Sequence, residues 1–187
     1  TNNKQGIGWY RLSYDAKPMA KGRRMYVDFA AVGNIADVWI NGAHVGQHKG
    51  AFTRFRFDVS REWRPGAKNL IVVRADNSKP AVGSSTEHVI PLAGDFFIHG
   101  GLYRGVQLIE ANDVGIDLLD FGGPGVYVRK TTSGFISCQK NCPAPGMHHL
   151  PFETVPVLVR LRNNDLKPRT VVVSLMVHDA EGDAISD

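Results

Sequence analysis

Val38-Trp-Ile-Asn-Gly-Ala-His-Val-Gly46 is the stretch that decides the fold. Asn41-Gly42 lies between two short runs rich in apolar and β-favouring residues. A two-residue type I′ turn needs positive φ at both central positions, and Asn-Gly meets that demand at least cost. A β-hairpin therefore follows from these nine residues alone.

The same alternation extends outward in both directions. Trp9-Tyr-Arg-Leu-Ser-Tyr14, Arg24-Met-Tyr-Val-Asp-Phe-Ala30 and Phe55-Arg-Phe-Asp-Val59 read as half-buried strands. Pro65-Gly66 introduces Asn69-Leu-Ile-Val-Val-Arg-Ala75, whose apolar run predicts a central strand buried on both faces. Asp76 to Gly101 breaks the pattern with a long stretch rich in Ser, Pro and Gly, and loops of that length in compact domains are usually functional. Val106-Gln-Leu-Ile109 closes this first unit.

A second unit opens near Val114, with strands expected at Gly115–Leu119, Gly125–Arg129, Val155–Leu161 and Thr170–Val177. Asn163 to Arg169 reads as the hairpin connection between the last two. Four strands are about half of an immunoglobulin-type sandwich, which needs around seven. No window sustains the helical period, so the expected fold class is all-β. The expected organisation is one sandwich over residues 1–111 and a partial one over 112–187, with an insertion at 134–152.

Composition narrows the partners. The chain has 187 residues, is 43% hydrophobic and 21% charged, and carries a formal charge of +4. Lys21, Arg23 and Arg24 are its only tight basic cluster, which reads as a solvated turn rather than a nucleic-acid face. No apolar run approaches the ~18 residues that a membrane-spanning helix needs. Cys138 and Cys142 sit in an irregular segment with His148 and His149. A local disulfide is the leading reading, and it carries the expectation of a periplasmic or extracellular setting. Free thiols in a cytoplasmic setting and a metal site are the alternatives, although this spacing matches no strong zinc pattern. No cofactor is expected.

Trp9 and Trp39 alternate with polar residues and are expected in the core, whereas Trp63 falls in a polar turn and is expected to be partly exposed. The acids Asp28, Asp37 and Asp58 fall on alternating strands at positions expected to face solvent. Arg104 follows a turn and enters a strand, which favours a structural ion pair.

Three segments, taken in order, match a family pattern. Gly8-Trp-Tyr-Arg11, then Val38 to Phe52 followed by Phe57-Asp-Val59, then Gly94-Asp-Phe-Phe-Ile-His-Gly-Gly-Leu-Tyr-Arg104 resemble the N-terminal sugar-binding domain of family 2 glycoside hydrolases. The resemblance covers about residues 6–130, and Val155 to Asp187 is similar to the start of that family's immunoglobulin-like second domain. It implies a galactose-binding-like jelly-roll sandwich followed by a partial immunoglobulin-like β-sandwich. Family members usually have a further strand before the Gly-Trp-Tyr segment, where Thr1 to Ile7 stand in this sequence, and the family pattern does not lead one to expect the insertion with both cysteines.

The resemblance also implies a role. Retaining glycoside hydrolysis needs two carboxyl groups about 5 Å apart across one bond, and in this family both are glutamates of a downstream barrel. No residue of this chain matches them, so no catalytic residue is assigned. The matching Asp of the family, here Asp95, reaches across to the sugar held in the barrel, with a role bracing its own loop as the alternative. His99 lines the same pocket or braces its own loop. The implied function is a non-catalytic, carbohydrate-facing portion of a β-galactosidase-like hydrolase, with a β-galactoside-like sugar as partner. A free-standing carbohydrate-binding module and a β-sandwich that self-associates through its sheet edges are the alternatives.

Overall fold

A computed structural model of the chain describes residues 5–89, 99–129, 132–137 and 149–184. Among them every regular element is a strand and none is a helix. The first unit contains β1 (Ile7–Asp15), β2 (Arg23–Phe29), β3 (Ile35–Ile40), β4 (Ala43–Lys49), β5 (Phe55–Asp58), β6 (Lys68–Asp76) and β7 (Val106–Asn112). They form two antiparallel sheets, one ordered β1-β6-β3-β4 and the other β5-β2-β7. The all-β class expected from alternation is the class observed.

The hairpin forms where its turn residues require it. Asn41 has φ 52° and Gly42 φ 90°, and Ile40 pairs with Ala43 across the turn. The asparagine does more than tolerate that conformation. Its Nδ2 donates to the carbonyl of Glu62 at 2.7 Å and to Oδ1 of Asn69 at 2.9 Å, while its Oδ1 accepts from the Leu70 N–H at 2.9 Å. One side chain thus ties the hairpin to β6 and to the turn before it.

The core lies between the sheets. Met25, Val27 and Phe29 of β2 meet Ala36, Val38 and Ile40 of β3 and Ile71, Val73 and Ala75 of β6. Phe29 and Phe55 stack at 4.8 Å. Full burial of a side chain such as Phe29 or Val27 contributes about 1.5–3 kcal/mol, so alternation on β2 and β3 is the main source of cohesion. β6 is central, as expected, but only one of its faces is covered: Leu70 on the other is exposed.

Covering explains three departures from the sequence reading. β1 is an edge strand, and both of its faces stay largely open: Trp9 on one, Tyr10, Leu12 and Tyr14 on the other are exposed. Trp9 and half-buried Trp39 lie on the outer face rather than in the core. Trp63, by contrast, sits in a turn closed by its backbone N–H donating to the Val59 carbonyl at 2.8 Å, and its side chain is buried against the core.

The acids also differ. Asp28 and Asp37 are buried and Asp58 is largely so. Each does point to an outer face, but that face is occupied by ion pairs. Asp28 accepts from Arg56 Nε at 2.6 Å and Arg54 at 3.2 Å. Asp58 accepts from Arg24 Nε at 2.9 Å, and Asp37 from Arg74 at 3.1 Å.

The second unit is a set of short ribbons. Its strands are β8 (Val114–Ile116), β9 (Val126–Val128), β10 (Thr132–Ser137), β11 (His149–Thr154), β12 (Val157–Val159) and β13 (Leu161–Asn163). β8 pairs with β13, β9 with β12, and β10 with β11. The ends of the 134–152 insertion are therefore strands rather than irregular chain. Cys138 and Cys142, with the expected disulfide, lie outside the described residues. The strand expected at Thr170–Val177 does not form, and its apolar side chains from Val171 to Val173 and Leu175 to Val177 are exposed. Asn163 to Arg169 accordingly follows β13 as a turn held by local bonds, such as Asp165 N–H to Asn163 Oδ1 at 2.9 Å, and connects no hairpin.

Candidate functional site

The long connection from β6 to β7 starts and returns at one end of the sandwich. Its first part is organised by side chains of the strand end. Asp76 accepts from the Ser78 N–H at 2.9 Å, from Ser85 Oγ at 3.1 Å and from Arg74 at 2.9 Å. Asn77 Oδ1 accepts from the Gly6 N–H at 2.7 Å. Thr86 is buried and donates to the Lys79 carbonyl at 3.0 Å. A segment that reads as a loose Ser- and Pro-rich loop is in fact folded on a carboxylate and a hydroxyl.

Its return is fixed as firmly. Gly33 N–H donates to Gly101 O at 3.1 Å and Gly101 N–H to Gly33 O at 3.2 Å, a reciprocal pair that clamps the loop to the end of β3. Gly101 has φ 76°, and a Cβ there would collide with the Tyr10 hydroxyl. Only glycine satisfies both demands. Tyr103 then donates its hydroxyl to the Ala51 carbonyl at 2.5 Å, joining the loop to the stretch after β4.

His99 sits just before this clamp and is exposed. Its ring lies 6.1 Å from that of Tyr103. Asp95 lies outside the described residues. Arg104 differs from expectation: its guanidinium stands 5.4 Å over the Tyr103 ring and approaches the Phe52 carbonyl at 3.5 Å. Among the described residues no carboxylate pairs with it. Nearby, His48 stacks on Phe55 at 4.1 Å and meets Thr53 Oγ1 at 3.1 Å. Exposed Phe52 completes this rim.

Sequence reasoning missed Asp76, Asn77 and Tyr103. The available signal was the Asp-Asn pair at the point where a strand pattern stops, since both side chains bond readily to nearby backbone. Tyr103 gave no signal, because its acceptor is 52 residues away.

The electrostatics of this end set a pH response. Burial alone pushes the His48 imidazole below its ordinary value. Burial pushes the Asp76 carboxyl up, but the Ser78 donors, Ser85 and Arg74 outweigh it and hold the group below the usual carboxylate range. In the second unit Asp117 is held low chiefly by its bond from Arg162 at 2.8 Å. All three groups are harder to protonate folded than unfolded, so acid favours unfolding. Stability should decline first as pH falls below about 6.5, where a free histidine titrates, and again below about 4, where free aspartates do. Melting temperature measured from pH 8 to pH 3 checks this; a flat profile down to pH 4.5 would remove His48 from the account.

Comparison with known proteins now decides the family. The glycosyl hydrolases family 2 sugar binding domain matches residues 1–112. The chain belongs to glycoside hydrolase family 2. A family 2 relative, a β-glucuronidase of Bacteroides fragilis, is 38% identical over 125 residues, covering 67% of this chain and 17% of the relative. A β-galactosidase of Thermoanaerobacter pseudethanolicus is 34% identical over 111 residues, covering 59% of this chain and 14% of the relative. An FMN-binding β-glucuronidase from Facaelibacterium prausnitzii superposes with TM-score 0.65 at 27% identity, over 87% of this chain and 22% of that one. The family 2 chain described here thus spans less than a fifth of the length of these two sequence relatives, and the matched part is a sugar-binding domain.

Proposed function

We propose that this chain is the non-catalytic, sugar-facing portion of a β-galactosidase-like or β-glucuronidase-like family 2 hydrolase. Its β6–β7 connection completes a sugar pocket whose chemistry belongs to a barrel outside this sequence. The observation that carries the reading is the reciprocal Gly33–Gly101 clamp, which holds His99 at the rim of a rigid sandwich. Binding groups on a loop fixed by a scaffold are a recurrent way of presenting recognition chemistry. Asp95 supplies the carboxylate, which accepts hydrogen bonds from two neighbouring hydroxyls, and bonds of that charge-assisted kind are about twice as strong as neutral ones.

Asp95→Asn separates sugar contact from loop support. It keeps the shape of the side chain and removes the charge. If the carboxylate binds hydroxyls, the melting temperature should stay put while affinity for galactose or glucuronate falls. Turnover of the chain joined to its barrel should fall in step, by about 1.5–3 kcal/mol for each charged hydrogen bond lost. Asp95→Ala should behave alike. A large loss of melting temperature with an unchanged sugar response would sink the binding role, because it would show a carboxylate that braces backbone N–H groups instead.

A further inference from the structure

The outer face of the β1-β6-β3-β4 sheet carries rings that the core does not use. Trp9 pairs with Arg74 and Arg74 with Asp37, so these three side chains form one row across three strands. In the adjacent row Arg11 pairs with Val72 and Val72 with Trp39. Val72 is small, and the two indoles lean together across β6, with ring centroids 5.4 Å apart and planes tilted by 34°. The His44 ring of β4 continues the line, 5.0 Å from Trp39. Three rings thus cross the sheet from one edge to the other.

Trp9 remains 57% exposed in this arrangement. An exposed aromatic patch of this kind marks a binding surface more often than an isolated exposed residue does. Polar groups lie fixed beside it. Asp37 accepts from Gln47 Nε2 at 2.9 Å, from Arg74 at 3.1 Å and faces His44 Nε2 at 3.2 Å. Arg74 also reaches Asp76 at 2.9 Å.

The chemistry of this face selects its occupant. A protein interface wants an apolar centre depleted of charged residues, and here an ion-pair network runs through the middle. Around the rings the two arginines, Arg11 and Arg74, balance the two carboxylates, Asp37 and Asp76, while Asp15, Lys68 and Lys49 lie at the ends of the sheet, so the ring patch itself offers little net charge to a polyanion. Flat rings beside held donors and acceptors suit a neutral polyol whose ring faces are apolar and whose edges carry hydroxyls. We propose that this outer face is a second carbohydrate-binding surface, which stacks a neutral, extended, β-linked oligosaccharide on Trp9 and Trp39. It rests on the rings of β1 and β3 and does not depend on the role proposed for Asp95.

Titration of the chain with cellohexaose and β-1,4-mannohexaose, read by calorimetry and by tryptophan emission, tests this. At least one hexasaccharide should bind and shift the emission. Trp9→Ala should weaken that binding by about tenfold or more, the scale of one lost contact of roughly 1.4 kcal/mol. Trp9→Phe should restore most of it. Because Trp9 is exposed, its replacement should leave the melting temperature nearly unchanged; Trp39→Ala, if it folds, should weaken binding likewise. Asp95→Asn should leave hexasaccharide binding intact. Absence of binding to both sugars, or binding that Trp9→Ala does not weaken, would overturn the proposal. Binding lost in Asp95→Asn but kept in Trp9→Ala would place the glycan at the loop and overturn it equally, while upholding the loop reading. A concentration-dependent dimer abolished by Trp9→Ala, with no sugar response, would assign the face to a second copy and count against it.

Discussion

Arg56→Ala should lower the unfolding free energy by about 3–5 kcal/mol, the usual cost of removing one partner from a buried ion pair. The Arg56 side chain is 7% exposed and that of Asp28 2%. Arg56 donates from its Nε to Asp28 at 2.6 Å and from its Nη1 to the carbonyls of Leu118 at 3.1 Å and Gly123 at 2.7 Å. It is therefore both the counter-charge of a buried carboxylate on β2 and the bolt between the first sandwich and the start of the second unit. Arg54 also touches Asp28 but is half exposed, and its remaining contact places the expected loss toward the lower end of the range.

Urea unfolding of Arg56→Ala, Asp28→Ala and the double variant would measure this. The double variant should be less destabilised than the sum of the two, because no orphaned charge remains. Amide exchange at 117–123 should accelerate in Arg56→Ala and much less in Asp28→Ala. A loss under about 1 kcal/mol, the range typical of exposed pairs, would show that the face is wetter than its geometry implies.

Asn69→Leu should cost several kcal/mol although leucine has the same branched skeleton and higher hydrophobicity. Asn69 is fully buried. Its Oδ1 accepts from the Arg64 N–H and from Asn41 Nδ2, both at 2.9 Å, and its Nδ2 donates to the carbonyls of Arg64 at 2.9 Å and Ala67 at 3.0 Å. Leucine would leave these partners unsatisfied, at about 1–3 kcal/mol for each that stays buried. Asn69→Asp should recover only the accepting half. A circular-dichroism melt is the check, and a leucine variant as stable as the parent would mean that water replaces the amide.

These two residues show where alternation stops being informative. Asp28 and Arg56 occupy positions that point away from the core, as their sequence pattern says. That pattern gives the direction of a side chain but not what lies over the face it points to. Here the second unit lies over one face, and its carbonyls complete the Arg56 shell. Trp9 and Trp63 show the converse. An aromatic in an alternating strand stays exposed because its side chain points to the outer face of an edge strand, and one in a polar turn is buried because the turn folds back onto the core.

The candidate site divides in the same way. The Asn41-Gly42 hairpin, the strands of the first unit and the Gly100-Gly101-Leu-Tyr-Arg104 segment were legible because turn chemistry and period-two patterning are local properties. The clamp between Gly33 and Gly101, the Tyr103 bond to Ala51 and the Asp76 cluster were not, because each joins residues by a register or a fold-back that no local pattern encodes. The second unit was legible least. Thr170 to Val177 has strong strand propensity yet forms no strand, since a strand exists only where a neighbour supplies the other half of its ladder.

By itself the sequence determined an all-β chain, its hairpin, the faces of its main strands and the family its motifs resemble, because all of these follow from residue type and spacing along the chain. The tertiary structure alone decided which outward acids are buried, which tryptophans are exposed and how the loop is clamped. Those outcomes depend on what another part of the chain lays over each face, and covering is a property of three-dimensional packing.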